Sequence, residues 1–280
     1  MLRTSATRVL DGPDLDEVRD LLSVDPVGDV FVASRVLDGG LDSWRLGAEV
    51  WGYGDRGRLE SICYAGANLV PVQASPEAVR AFAERARRQG RRCSSLVGPA
   101  AAVLPLWDLL RPSWGRAREV RARQPLLAID AHPALEPDPL VRTAAATELD
   151  TLLPACVAMF TEEVGVSPLA GDGGALYRER VAELVDARRA YVRIDAGRVL
   201  FKAEIGAATA ASCQLQGVWV DPAQRGRGLG AAGTAAAVVL ARRALAPVVS
   251  LYVNDFNLAA RRAYEKVGFR QVGTFASVLF

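Results

Sequence analysis

Val218-Trp-Val-Asp221-Pro-Ala-Gln-Arg225-Gly-Arg-Gly228-Leu-Gly230 is the stretch on which the reading of this chain turns. A β-rich run ends at Asp221-Pro222. A loop of arginine and glycine follows and opens directly onto the alanine-rich run Ala231–Leu245. Its glycines let successive backbone N–H groups turn to one side with no Cβ in the way. The helix that starts here adds unpaired donors and a positive dipole end. Together these make a seat for a pyrophosphate or similar anion. Arg225 and Arg227 add charge in a fork that suits phosphate oxygens.

Three nucleotide motifs compete for this loop. A Walker loop needs Gly-Lys-Ser/Thr, which the chain lacks here. Gly228-Leu-Gly230-Ala-Ala-Gly233 satisfies a dinucleotide fingerprint, with Asp255 at the spacing of a ribose-binding acid. In that fold, however, the glycines follow the strand almost at once, whereas Asp221–Arg227 intervene here. The preceding segments also read as a run of strands, not as the start of a βαβ unit. The third form, Q/R-x-x-G-x-G/A after a Val-x-Val-x-Pro strand end, fits Arg225–Gly230 better. Downstream lie Ser250-Leu-Tyr-Val-Asn254-Asp-Phe-Asn257 and Ala260-Arg-Arg-Ala-Tyr264-Glu-Lys-Val-Gly268-Phe269. The two stretches, in this order and spacing, resemble the two signatures of the GCN5-related N-acetyltransferase (GNAT) superfamily. The resemblance covers roughly the C-terminal half of the chain.

The resemblance implies acetyl-CoA as cosubstrate and direct transfer of its acetyl group to a primary amine on a small molecule, peptide or protein. It implies that the backbone of Val218 and Val220 pairs with pantetheine and that Arg225, Gly226, Arg227, Gly228, Leu229 and Gly230 hold the pyrophosphate. Asn257 and Ala260 would line the pantetheine arm, and Tyr264 would protonate the departing thiolate. The alternative for Tyr264 is a core aromatic that anchors its helix. Glu204, in the strand Leu200–Ile205, is the candidate general base; its alternative is a Lys202–Glu204 pair on a solvated sheet face. Glu162, Glu163 and Gln216 are candidate acceptor-site residues, against a reading as ordinary exposed polar groups. A CoA-binding module without turnover and a nicotinamide-binding oxidoreductase are the competing functions.

Composition narrows the field. The chain has 280 residues, is 50% hydrophobic and 24% charged, and carries a net charge of +2. That charge gives no reason to expect a nucleic-acid or membrane partner. Arg3, Arg8 and Asp11 interrupt any signal-peptide core, so a cytoplasmic protein, monomer or homodimer, is expected. The cysteines at 63, 93, 156 and 213 form no C-x-x-C and have apolar neighbours, which points to buried thiols. The single histidine, His132, lies beside a proline-rich run, so no histidine-based triad or metal site is expected.

The expected fold class is α/β (α+β) in two domains. Pro133, Pro137 and Pro139 mark a linker over 133–139. Residues 140–280 read β-α-α-β-β-β-α-β-α-β, a GNAT order with a mixed central sheet flanked by helices. The chain ends at the sixth strand of that order, and a missing last strand would come from the first domain or a second subunit. Residues 1–132 read as a smaller domain with the series β-β-β-α-β-α-β from Gly47 onward, either a degenerate GNAT-like repeat or an unrelated α/β domain. Trp107 falls where a repeat would place Tyr264. Val72-Gln-Ala-Ser-Pro-Glu77 offers no nest of donors, so no CoA binding is expected there.

Overall fold

Alternating buried and exposed residues, punctuated by glycine, proline and capping side chains, set the elements of the computed structural model, which describes residues 7–55, 57–170 and 173–280. Arg3 and residues 171 and 172 lie outside the described residues. The chain folds into two units. The first comprises Met1–Leu127, Tyr252–Phe256 and Gln271–Phe280, and the second Ala128–Leu251 and Asn257–Arg270. The contacts thus divide the chain after Leu127. The proline-rich run belongs to the second unit, where the Asp138 amide donates to the Ala232 carbonyl at 3.0 Å.

The first unit begins with β1 (Arg8–Val9), α1 (Leu15–Leu22), α2 (Val30–Gly39) and α3 (Ser43–Leu46). The series expected from the sequence follows: β2 (Glu49–Asp55), β3 (Arg58–Ala65), β4 (Asn68–Val72), α4 (Pro76–Gln89), β5 (Ser95–Pro99), α5 (Ala100–Trp114) and β6 (Glu119–Ile129). Period-two alternation sorts its two cores. Trp51, Cys63, Leu69 and Leu96 pack against α4 and α5. Val50, Ile62, Tyr64 and Val70 pack against α1 and α2 on the other face. Trp107 is part of the first of these cores and meets Phe280 edge-on at 5.6 Å.

The second unit runs β7 (Arg142–Thr143), α6 (Leu149–Val164), α7 (Ala175–Asp186), β8 (Ala190–Asp195), β9 (Arg198–Ala208), β10 (Ser212–Val220), α8 (Leu229–Ala244), β11 (Val248–Tyr252) and α9 (Leu258–Val267). Its strand order is β11-β10-β9-β8-β7, with β10 and β11 parallel and the other pairs antiparallel. Ala196 and Gly197 both have positive φ at the β8–β9 hairpin, which supplies the twist that two-residue turns need. Helices α6 and α7 cover one face together with Val192 and Val199. On the other, an ideal Cβ at Gly233 would sit 2.6 Å from the Phe201 ring, so α8 packs on β9 through a residue that must stay small.

The last strand, β12 (Arg270–Leu279), pairs antiparallel with β5 from Phe275↔Pro99 to Leu279↔Ser95. From Gln271 on it therefore belongs to the first unit. The strand that ends the chain thus has its neighbour β5 within the first unit. All four cysteines are free and buried. Among the described residues no helix is long and apolar enough to cross a membrane.

Candidate functional site

Strands β10 and β11 make the opening of the site. Their parallel ladder holds from Ser212↔Val248 to Gln214↔Ser250 and then stops. Beyond it, among the described residues, Leu215–Val220 pair only with β9. A bulge adds to the divergence. Between Gln216↔Glu204 and Trp219↔Lys202, two residues of β10 oppose one of β9, and Gly217 takes φ +57° to make the kink. Val218, in the bulge, and Val220, past it, lie on this half-buried stretch. Among the described residues, one edge of their backbone is thereby left without a strand neighbour.

The loop after β10 is held by Asp221. Its buried carboxylate accepts from the Ala223 amide at 2.9 Å and pairs with Arg198 at 2.5 Å. Gly226 and Gly228 then take φ +77° and +85°, and Gly228 caps α8 without a side-chain cap. An ideal Cβ at either glycine would meet nothing within 4 Å, so the space in front of the first turn of α8 is open. A cleft of about 530 Å³ adjoins it, lined by Arg227, Gly228, Leu229, Asp138 and Arg193. Among the described residues Arg227 bonds only to Gln224, at 3.3 Å. Arg225 is more constrained: it donates to the Val220 carbonyl at 3.1 Å and to Glu162 at 2.7 Å.

That last contact bears on the acceptor candidates. Glu162 is engaged by Arg225 and by the Trp219 indole at 3.4 Å, so it neutralises the loop arginine. Glu163 instead lies near Tyr264, where its charge adds to burial in pushing the phenol above its ordinary range. Gln216 is exposed, and its side chain lies across Gly206, where a Cβ would collide with it.

Helix α9 presents the second signature. Asn257 is its N-cap, with the side-chain oxygen accepting from Ala260 N–H at 3.1 Å, and Gly268 ends it at φ +106°. Tyr264 is 7% exposed and meets Phe269 edge-on at 5.9 Å. Burial, chiefly, raises the phenol above its ordinary value of 10.0, so the hydroxyl is protonated at neutral pH. Packing anchor and proton donor are compatible roles for it.

Glu204 and Lys202 share one face of β9 and form an ion pair, as one of the two sequence readings held. The face is not solvated. Helix α6 covers it, leaving Lys202 0% and Glu204 6% exposed. Cys156 of α6 completes the cluster, with its sulfur 3.4 Å from the Lys202 ammonium and 3.5 Å from Glu204 Oε1. Burial pushes this thiol up to about 12, so it stays protonated. The other oxygen, Oε2, lies under the bulge, 3.1 Å from where a Cβ on Gly217 would be. Neither the cover of α6 nor the salt link between Glu162 and Arg225 has a signal in the local sequence.

The competing dinucleotide fingerprint is dispersed by the fold. Gly233 serves helix packing on Phe201. Asp255 pairs with Arg123 at 3.0 Å in the first unit. The strand before the glycines belongs to an antiparallel meander. Among the described residues no cluster of histidine, cysteine, aspartate or glutamate has the geometry to hold a metal.

Comparison with known families and structures agrees with this geometry. Residues 185–269 match the acetyltransferase (GNAT) family, and residues 48–152 match a domain of unknown function, DUF4081. The chain therefore carries a GNAT-family domain in its second half. No curated protein matches the sequence. Among solved structures, a GCN5-related N-acetyltransferase from Sphaerobacter thermophilus aligns with a TM-score of 0.61 at 17% identity, over 99% of this chain and 95% of that one. A GNAT-family acetyltransferase from Colwellia psychrerythraea gives 0.55 at 14%, over 98% and 99%. A tandem GNAT protein from the clavulanic acid biosynthesis pathway gives 0.54 at 15%, over 98% of each chain. At these identities the likeness is one of fold, and it extends through both halves of the chain.

Proposed function

We propose that the second unit binds acetyl-CoA and passes its acetyl group directly to a primary amine. The observation that carries this reading is the β10–β11 ladder that stops at Gln214↔Ser250, followed by a glycine loop with open space at Gly226 and Gly228. An extended pantetheine arm would add to the free edge of β10 at Val218 and Val220 as a strand does. The diphosphate would take the N–H groups of Arg225 to Gly230 at the start of α8. Arg227 is the better placed of the two arginines to add charge, because Arg225 already carries Glu162.

The roles of the remaining residues follow from chemistry. Asn257 uses its oxygen as a cap, which leaves its amide N–H groups for a pantetheine carbonyl, beside Ala260. An N–H of Val218 or Val220 would polarise the thioester carbonyl. The amine must lose a proton before it attacks. Glu204 would accept it through water at Oε2, while Lys202 is paired with its other oxygen. As nitrogen bonds to the acetyl carbon, the carbon–sulfur bond breaks and Tyr264 gives its proton to the sulfur. Glu163, beside that phenol, would attract a cationic acceptor.

Isothermal titration with acetyl-CoA and with NAD tests the binding step, and thiol release with a panel of amines tests transfer. Saturable acetyl-CoA binding with amine-dependent thiol release is expected. Binding of NAD in place of CoA would overturn the reading, and CoA binding without release under any amine would leave a binding module.

A further inference from the structure

A cavity of about 390 Å³ opens in the first unit, away from the start of α4. It lies where β2 and β4 begin and where α4 and α5 end. Its size is in the range of small-molecule sites. Glu49, Trp51, Gln89, Arg92, Cys93 and Trp114 line it, with small apolar residues between them.

Its polar groups are incompletely satisfied. Glu49 uses Oε2 for the Trp51 indole at 2.6 Å and for the Gln89 amide at 3.1 Å, and Arg85 is 3.8 Å from the same oxygen. These donors, the Trp51 N–H foremost, hold the carboxyl below its ordinary range and so charged. Its Oε1 takes none of those bonds, although an ionised carboxylate accepts at both oxygens. Arg92 is exposed at the cavity, close enough for its charge to act on Glu49, and no ion pair engages it among the described residues. The indole N–H of Trp114 is buried and has no acceptor. Buried donors are rarely left so, and each such case asks for an explanation. The ring itself is well fixed, edge-on to Phe280 at 5.8 Å.

One anionic acceptor and one guanidinium that no ion pair engages among the described residues, both at a small cavity, describe a ligand with both charges. We propose that this cavity binds a free amino acid, or a small molecule with the same pairing of ammonium and carboxylate. Glu49 Oε1 receives the ammonium. Arg92 takes the carboxylate through its fork. Charge-assisted bonds of this kind are the strong ones. The site is independent of the proposed acetyl transfer.

Calorimetric titration of the full chain with each common L-amino acid tests the proposal. At least one is expected to bind with a Kd near or below about 1 mM. For the tightest, the matching amine without the carboxylate and the matching acid without the amine should each bind at least about tenfold more weakly. Arg92→Ala, at an exposed position, and Glu49→Gln should weaken binding by a similar factor, with melting temperatures checked for both. Gly228→Val, in the other unit, should leave it unchanged, which separates this cavity from an amine acceptor site. No binding by any amino acid, equal binding of the truncated analogues, indifference to Arg92→Ala or loss in Gly228→Val would each overturn the proposal.

Discussion

The two units begin the same device and finish it differently. In each, a strand runs parallel to a neighbour and the ladder lasts only a few residues, Asn68↔Ser95 to Leu69↔Leu96 in one and Ser212↔Val248 to Gln214↔Ser250 in the other. In each, a helix starts after the first of those strands. In the second unit that helix, α8, opens on glycines facing empty space. In the first, α4 is sealed. Ser75 Oγ accepts the Ala78 N–H at 3.1 Å, Pro76 supplies no donor, and Glu77 is paired with Arg80 at 2.6 Å. The gap itself is narrowed, since a Cβ at Gly98 would lie 3.5 Å from the Pro71 carbonyl. On the proposed reading, diverging strands alone would not make an anion site, and the first turn of the following helix would decide it.

The sharpest break of this comparison is Gly228→Val. The residue has φ +85°, which a β-branched side chain adopts only under strain, and its side chain would fill the open space before α8. Acetyl-CoA affinity is expected to fall by at least about a hundredfold. Unchanged affinity by calorimetry would move the anion site elsewhere.

Tyr264→Phe comes next. Its counterpart by repeat order, Trp107, has no dissociable group and lies in a core. Loss of the phenol proton should lower kcat by about a hundredfold while the acetyl-CoA Kd stays within about twofold. A kcat equal to wild type in thiol-release assays would leave Tyr264 as packing only.

How far the sequence reached depended on local chemistry. The ends of helices α4 and α9 are legible because Ser75 and Gly90, and Asn257 and Gly268, cap them. The β8–β9 hairpin was legible in Asp195-Ala-Gly197. Helices α1 and α2 drew no assignment, and their hydrophobic faces have meaning only against Val50, Ile62 and Val70. Leu200–Ile205 reveals that Lys202 and Glu204 share a face, but not that α6 covers it. Glu162 and Arg225 are far apart in sequence, and only the fold brings them to 2.7 Å. Likewise β12 reads as a strand, yet nothing in its residues names β5 as its partner.

A smaller effect concerns what closes the first unit. Gln73, just past β4 at φ +47°, donates to Asp29 at 2.7 Å. Burial raises that carboxyl to about 7, from the ordinary 3.8. The folded state thus binds the proton more tightly than the unfolded one. The stability this contributes is complete below about pH 4 and is lost as pH rises to about 7. Asp29→Asn keeps an acceptor for Gln73 without the charge. It should stabilise the protein by about 2 kcal/mol at pH 8, and by less as pH falls toward 5. Urea titrations at both pH values check this, and a variant less stable at pH 8 would contradict the raised carboxyl.

The smallest expected effect isolates the cap that distinguishes α4 from α8. Ser75→Ala frees the Ala78 N–H and should cost about 1 kcal/mol by urea denaturation. It should not create acetyl-CoA binding in the first unit. Pro76 still withholds a donor, Glu77 still repels an anion, and Gln73 still ties the turn to Asp29. Calorimetry in a Ser75→Ala, Gly228→Val background makes the test clean, because the second unit is then silent. Binding regained there would mean that one serine, not the whole turn, separates the two helix starts.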